Sequence, residues 1–463
     1  MDSDTTDLAG LRSALRGTLL QPADPEYESA RLVWNGMIDR HPRAIVRCGG
    51  VADVVTAVRF ARAQGLQVAV RGGGHNVAGY GTCDGGMVID LSLMRSVRVD
   101  PTAQIAWVQG GATWRDVDWE TTAFGLATPG GVVSTTGVGG LTLSGGMGWL
   151  RGTHGLCIDN LLSVDVVLAD GCLLQASETK NSDLFWAVRG GGGNFGIVTA
   201  FQFRLHPIEP ELMVCLAVYP EARAREIVVS WRDFMATAPD RLLGSIVEFS
   251  TVPDDQSVPP EARGARAISV GAVYDGPAEE GEALVRPLRE LAPMLVDFSG
   301  RMPYRTLQSL QDDLFPKARD RSYFKSLYLN SLEPPIIDDI VDALAERPSE
   351  MTFTSVWKFG GAVARVSPDA TAFGDRSMPY MLSLDTIWSK PEDDLANIAW
   401  TQRFWSDMVR YSDGRIYLNF PGHGEDANLV RTAVGTANYE RLVAIKRKYD
   451  PTNFFRINQN IPP

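Results

Sequence analysis

The chain has 463 residues, 44% of them apolar and 22% charged, with a formal net charge of -12. It is too long for one ordinary core and long enough for two or three domains of a globular protein. The acidic balance argues against a nucleic-acid groove and an anionic membrane surface, and no uninterrupted apolar stretch is long enough to cross a bilayer.

The N-terminal stretch Met1–Asp7 is acidic and lacks the basic-then-apolar pattern of a signal peptide. From about residue 43 to residue 205 short strands and helices alternate. Val51, Val54, Val55, Val58 and Ala61 recur at helical spacing and predict one buried helix face. Strands are expected at 67–71, 87–91, 96–99 and 104–108, and a helix at 114–124 that stops at Gly125. The interval 130–155 is rich in glycine and threonine and has little periodicity. A strand over 162–169 turns at Asp170-Gly171 into 172–175, followed by a helix over 180–189 and a strand over 197–204. After His206-Pro207 glycine becomes sparse. Helices are expected at 222–237, 279–291, 334–345 and 392–411. The tail predicts a strand, a helix around 438–448 and a turn at Tyr449-Asp450-Pro451-Thr452-Asn453. The five cysteines (Cys48, Cys83, Cys157, Cys172, Cys215) show no metal spacing and no disulfide framework, which suits a reducing, cytoplasmic setting.

The 45 glycines are unevenly spread, crowding residues 49–155 and 190–196, and three clusters stand out among them. In the first, a strand breaks into Arg71-Gly72-Gly73-Gly74-His75-Asn76, with Gly79 just beyond. Consecutive glycines let backbone N–H groups approach an anionic ligand, and a histidine at the loop edge can reach the ring of a nucleotide cofactor. The plain alternative is a glycine turn with a surface histidine. The second cluster, residues 135–148, offers unshielded amides and small hydroxyls that suit a diphosphate bound by backbone. The third, Gly191-Gly192-Gly193-Asn194-Phe195-Gly196, matches GxGxxG in form. It is not a nicotinamide fingerprint, because that motif needs a strand before it and a helix after it, and here the order is reversed. No HExxH, GxSxG, Walker loop or CxxC is present, so the chemistry is expected to belong to a cofactor, with no metal.

These segments, with Gly85–Leu91, His154–Asn160 and Asp183–Gly196, resemble the FAD-binding module of the vanillyl-alcohol oxidase and p-cresol methylhydroxylase superfamily. The tail, Tyr417-Leu418-Asn419-Phe420 and Tyr449–Arg456, is similar to that of the berberine-bridge-enzyme-like branch, in its bacterial, 6-hydroxy-D-nicotine-oxidase-like form.

The resemblance implies an α+β fold. A two-subdomain FAD-binding module of the p-cresol methylhydroxylase type is built from both chain ends, residues 1–207 and 411–463. A substrate domain over 208–410 carries an antiparallel sheet flanked by helices. The implied FAD-binding residues are Arg71, Gly72, Gly73, Gly74, His75, Asn76 and Gly79 in the first loop. In the second they are Thr136, Gly137, Gly140, Ser144, Gly145, Gly146 and Gly148. Asn194, Gly196, Ile197, Val198, Tyr417 and Asn419 complete the set. His75 is expected to carry FAD covalently through the 8α-methyl group. The link is expected to be single, because Val133 stands where some members have a second, cysteine anchor and Cys157 lies well downstream. Thr136 lies where the family keeps a small residue that influences oxygen access.

Many members read Tyr-x-Asn-Tyr in the tail, with the last tyrosine as base. This chain has Phe420 there, which leaves Tyr417 as the first candidate for handling the proton, against a packing role. Tyr304, Gln308, Lys325 and Trp357 could line the pocket. The implied activity is hydride transfer to FAD from a C–H next to an alcohol or amine of a small organic molecule, with molecular oxygen reoxidising the flavin to give hydrogen peroxide. The alternatives are a flavin dehydrogenase or cyclising enzyme with another acceptor, and a non-catalytic flavoprotein. The expected partners are a small-molecule substrate and oxygen. Substrate identity and oligomeric state are not set by the sequence.

Overall fold

The structure is a computed structural model that describes residues 8–256, 258–420, 422 and 428–463. The acidic Met1–Asp7 stretch lies outside the described residues. The N-terminal part folds as two sheets. The first runs Thr18–Leu20, Ala44–Arg47, Met87–Asp90, Val68–Arg71, with its last three strands parallel. Parallel pairing requires a crossover, and the helix Val51–Ala63 supplies one between Ala44–Arg47 and Val68–Arg71. It buries Val54, Ala57, Val58 and Ala61 against the sheet, while Val51 and Val55 are only partly covered. Asp53 in its first turn accepts the N–H groups of Arg16, Gly17 and Gly49 at 2.8–2.9 Å, which ties the entering chain to the helix.

The second sheet is antiparallel, in the order Val97–Asp100, Ile105–Gln109, Ile197–Arg204, Leu161–Val167, Leu173–Ser177. The hairpin between its last two strands turns at Gly171, whose φ of 78° favours glycine. The helix Ser182–Val188 precedes the third glycine cluster and the strand Ile197–Arg204 follows it, so the helix-then-strand order holds. The interval that reads as aperiodic contains two short helices, Val138–Leu143 and Arg151–His154.

The third sheet has eight antiparallel strands. Its main path runs Val296–Asp297, Leu212–Pro220, Arg266–Tyr274, Gly244–Thr251, Phe353–Lys358, Tyr380–Trp388, Arg321–Leu329, and Gly300–Met302 pairs with Leu212–Pro220. Helices Ala224–Met235, Ala278–Arg289, Pro334–Ala345 and Asp394–Met408 cover one face with Ile227, Trp231, Val285, Ile337 and Phe404. The other face carries Ile246, Trp357 and Met381 and packs with Met147, Trp149 and Tyr417 of the remaining chain. Residues of the tail, among them Ile416, Leu418, Leu442, Ile445 and Ile461, share one core with residues 106–205. Both chain ends therefore contribute to the module opposite the large sheet.

The tail departs from its expected strand. Residues 417–420 form a tight turn, with the Phe420 N–H donating to the Tyr417 carbonyl at 3.0 Å. Strand alternation therefore does not apply here. Tyr417 and Phe420 meet edge to face with ring centres 5.1 Å apart, instead of pointing to opposite sides.

Candidate active site

The glycine clusters converge on a cavity of about 290 Å³ whose opposite wall is the open face of the large sheet. Arg71, Gly72, Gly73, Gly74, His75, Asn76, Thr136, Gly137, Gly140, Ser144, Gly196, Ile197, Val198, Tyr417 and Asn419 all line it. Gly79, Gly145, Gly146, Gly148 and Asn194 stand outside its lining and shape the wall from behind. Gly146 packs against Cys157, and Gly148 against the Gly130 carbonyl. Asn194 is a buried strut. Its side chain donates to the Gly191 and Gln459 carbonyls at 2.9 and 3.1 Å and accepts from the Ile461 N–H at 2.9 Å.

The first two loops touch backbone to backbone. A Cβ on Gly73 would lie 2.4 Å from the Gly137 nitrogen, and one on Gly137 would lie 2.3 Å from the Gly73 nitrogen. No side chain fits between them, which is the physical demand behind these glycines. By contrast, a Cβ on Gly140 or Gly193 would meet nothing within 4 Å, because both face open cavity. Arg71 spends one guanidinium nitrogen on Asp90 at 2.8 Å. Its Nη1 is buried at the cavity wall with no partner among the described residues. A long, backbone-lined trough with a spare guanidinium N–H fits an extended anionic dinucleotide.

His75 lines the trough. Its ring stacks on Trp34 at 5.7 Å, and Trp34 is fixed by its Nε1–H donating to the Phe315 carbonyl at 2.9 Å. Nε2 lies 3.1 Å from the Thr135 hydroxyl and Nδ1 3.5 Å from that of Thr136. Removal of water around the ring pulls its pKa down to about 4, so the imidazole is neutral at ordinary pH. Val133 lines the cavity. Cys157 does not; it is wholly buried, and burial raises its thiol far above the usual range.

Tyr417 is buried with its hydroxyl accepting the Gly146 N–H at 3.0 Å and the Asn419 amide at 2.8 Å. Burial raises the phenol above its usual range. It braces the second glycine loop while its ring forms cavity wall.

The large sheet supplies groups that the sequence reading missed. Glu248, Ser355 and Ser383 stand in register across three neighbouring strands. Asp385 lies two residues beyond Ser383, hence on the same face, opposite Phe324. Glu248, Ser355, Asp385, Phe324 and Trp357 all line the cavity. Ser355 donates to Glu248 at 3.3 Å, and Ser383 donates to Asp385. Loss of water pushes both carboxyls up to about 7, and the Glu248 charge adds to the rise at Asp385. The available signal was a lone acidic residue inside each of two apolar strands, Gly244–Thr251 and Tyr380–Trp388. Of the other residues considered, Trp357 reaches the cavity. Lys325 lies on the opposite face over the Trp405 ring, Gln308 donates to Asp118 at 3.2 Å, and Tyr304 is buried in the core.

The FAD-binding-domain family model matches residues 42–177, and the berberine and berberine-like model matches residues 416–462. An FAD-linked oxidoreductase of Bacillus subtilis (strain 168) is 31% identical over 462 residues, covering 98% of both chains. The (R)-6-hydroxynicotine oxidase of Paenarthrobacter nicotinovorans is 28% identical, covering 97% of both. The crystal structure of 6-hydroxy-D-nicotine oxidase from Arthrobacter nicotinovorans superposes with a TM-score of 0.86 at 27% identity, covering 97% of this chain and 98% of that one.

Proposed function

The chain belongs to the FAD-linked oxidoreductases of the berberine-bridge-like type, and from that premise we propose that it is a flavin oxidase carrying FAD on His75. The observation that carries this reading is the single cavity shared by His75, the backbone trough and the polar face of the large sheet. The trough would hold the dinucleotide, with Arg71 Nη1 free for an anionic oxygen. Bound FAD would supply the hydride acceptor and, on reoxidation by oxygen, the route to hydrogen peroxide. The neutral His75 imidazole would hold the cofactor at its 8α position through a ring nitrogen, and Trp34 stacks on the ring.

The substrate would lie between this trough and the sheet, with a C–H next to an alcohol or amine turned toward the His75 side. We assign the proton of that alcohol or amine to Asp385, backed by Glu248, because Phe420 has no proton acceptor and the Tyr417 phenol is occupied with Gly146 and Asn419. A carboxyl poised near 7 is matched to such a task. Tyr417 then positions the glycine loop.

The test is acid precipitation and peptide mass analysis. The denatured protein should stay yellow, with FAD mass on the peptide containing His75 and none on the peptide containing Cys157. His75→Ala should release its flavin. A colourless pellet with free FAD in the supernatant would overturn the covalent link. Peroxide formed during turnover supports the oxidase. Turnover only with an artificial electron acceptor would make the enzyme a dehydrogenase.

A further inference from the structure

We infer that the sheet side of the cavity is a cation site, and that the substrate enters as an organic ammonium whose nitrogen lies between Asp385 and Glu248 and is enclosed by aromatic rings. The inference rests on the proposed function only in taking this cavity as the substrate site.

Three observations carry it. First, Glu248 and Asp385 share one wall, and neither meets a lysine, arginine or histidine among the described residues. Their named partners are the Ser355 and Ser383 hydroxyls. Hydroxyls can orient a carboxylate but cannot neutralise it, so above about pH 7, where both acids ionise, the dry pocket calls for a counter-charge. Second, Asp385 is only 8% exposed and Ser383 engages just one of its oxygens, Oδ1. The Glu248 charge acts on Asp385, so a cation held at one acid would also feel the other. Third, the surrounding wall is aromatic. Trp357, Phe324, Phe420 and Phe315 line the same cavity, and Phe420 meets Phe324 edge to face at 6.0 Å. Aromatic faces attract ammonium groups most strongly where water is excluded. The nearby Arg151 is committed elsewhere. It donates to the Gly148, Ser245 and Lys358 carbonyls and lies over the Trp357 ring at 5.3 Å.

A neutral alcohol or sugar would find a different fit. It could hydrogen-bond to one carboxyl and pack its C–H groups on the rings, but it would leave the second acid uncompensated and would lack the cation–π attraction. The chain's net charge of -12 also favours the approach of cations over anions.

The test uses the flavin-loaded protein and two probes of the same shape, benzyltrimethylammonium and its uncharged carbon analogue neopentylbenzene. Binding is read from perturbation of the flavin absorbance and by calorimetry. The ammonium should bind at least about tenfold more tightly than the carbon analogue. In the double variant Glu248→Gln/Asp385→Asn the two probes should bind equally, with neopentylbenzene unchanged and the flavin retained. The retained flavin reports that the variant is folded. Equal binding by the parent protein overturns the inference, and so does a preference that survives in the double variant. If the protein holds no flavin the proposed function fails, while calorimetry with the same probes still decides the cation site.

Discussion

The two walls of the cavity are made in opposite ways. The trough wall is backbone. Its contacts come from glycine loops so close that a Cβ at residue 73 or 137 would run into main chain. The sheet wall is side chain. Its backbone is an ordinary antiparallel ladder, and its character rests on a few alternating residues, among them Glu248, Ser355, Trp357, Phe324 and Asp385. A backbone wall can hardly be altered without losing its shape, so it suits a cofactor that stays the same. A sheet face can exchange a side chain and keep its ladder, so it suits a substrate that differs between relatives. Each wall should therefore fail in its own way: the sheet wall through rate with the flavin still bound, the trough wall through stability and flavin loading.

The largest expected effect is on the sheet wall. Asp385→Asn should slow anaerobic flavin reduction by about 10²–10⁴-fold, the usual contribution of a general base. The flavin should remain attached and its spectrum should be near that of the parent. A loss of flavin would mean that Asp385 serves the trough, and the division between the walls would break. The acid must be ionised to accept a proton, and burial has pushed both carboxyls up to about 7. Reduction should therefore be slow at low pH and rise through about pH 7 to a plateau, and Asp385→Asn should flatten that rise.

The next effect is on the support of the trough. Lys446 is fully buried and donates to the Asn194 carbonyl, Asp450 and the Phe455 carbonyl at 2.7, 2.7 and 3.0 Å. Asp450 also accepts the Phe454 and Phe455 N–H groups at 2.8 and 2.9 Å, so it caps the turn at residues 449–453. Lys446→Met leaves that carboxylate buried without its cation. It should cost about 3–5 kcal/mol in urea unfolding, the range for breaking a buried pair. Flavin loading should fall with it, because the third glycine loop hangs on Asn194.

Glycine runs and chain order made the trough legible in the sequence, since no residue but glycine meets the demand at 73 and 137. The strand Ile197–Arg204 and the helix Pro334–Ala345 also keep their expected bounds, each with an apolar pattern of one period. The acid pair was not legible. Glu248 and Asp385 are 137 residues apart, and only the register through Phe353–Lys358 brings them to one face. At Asn194, expected among the cofactor-binding residues, three hydrogen bonds tie the loop to the tail, a role that the motif alone does not reveal. The tail strand failed because Tyr417–Phe420 closes a turn by one local hydrogen bond, which a string of alternating residues does not reveal.

Gly137→Ala tests the backbone wall more gently. The backbone at Gly137 has φ -68° and is open to any residue, so the whole cost is the encounter with Gly73. Overpacking of this kind costs about 1–3 kcal/mol, and flavin content per protein should drop in parallel. Full loading and unchanged stability would show that the two loops can separate without consequence.

The smallest effect should come from Tyr417→Phe, and its smallness is informative. The phenol accepts the Gly146 N–H and the Asn419 amide, and removal of the oxygen leaves those two donors without it. The ring stays, wedged between Phe373 and Phe420 at 6.3 and 5.1 Å, so the cavity keeps its shape. If Tyr417 only positions the glycine loop, flavin reduction should slow by less than about tenfold and its pH profile should keep the rise near 7, while stability falls by about 1–3 kcal/mol for the donors left unpaired. If Tyr417 were the base, the same variant would lose about 10²–10⁴-fold and the pH dependence with it. Anaerobic stopped-flow reduction of Tyr417→Phe beside Asp385→Asn separates the two cases. A larger loss in the tyrosine variant would move the proton from the sheet wall to the trough.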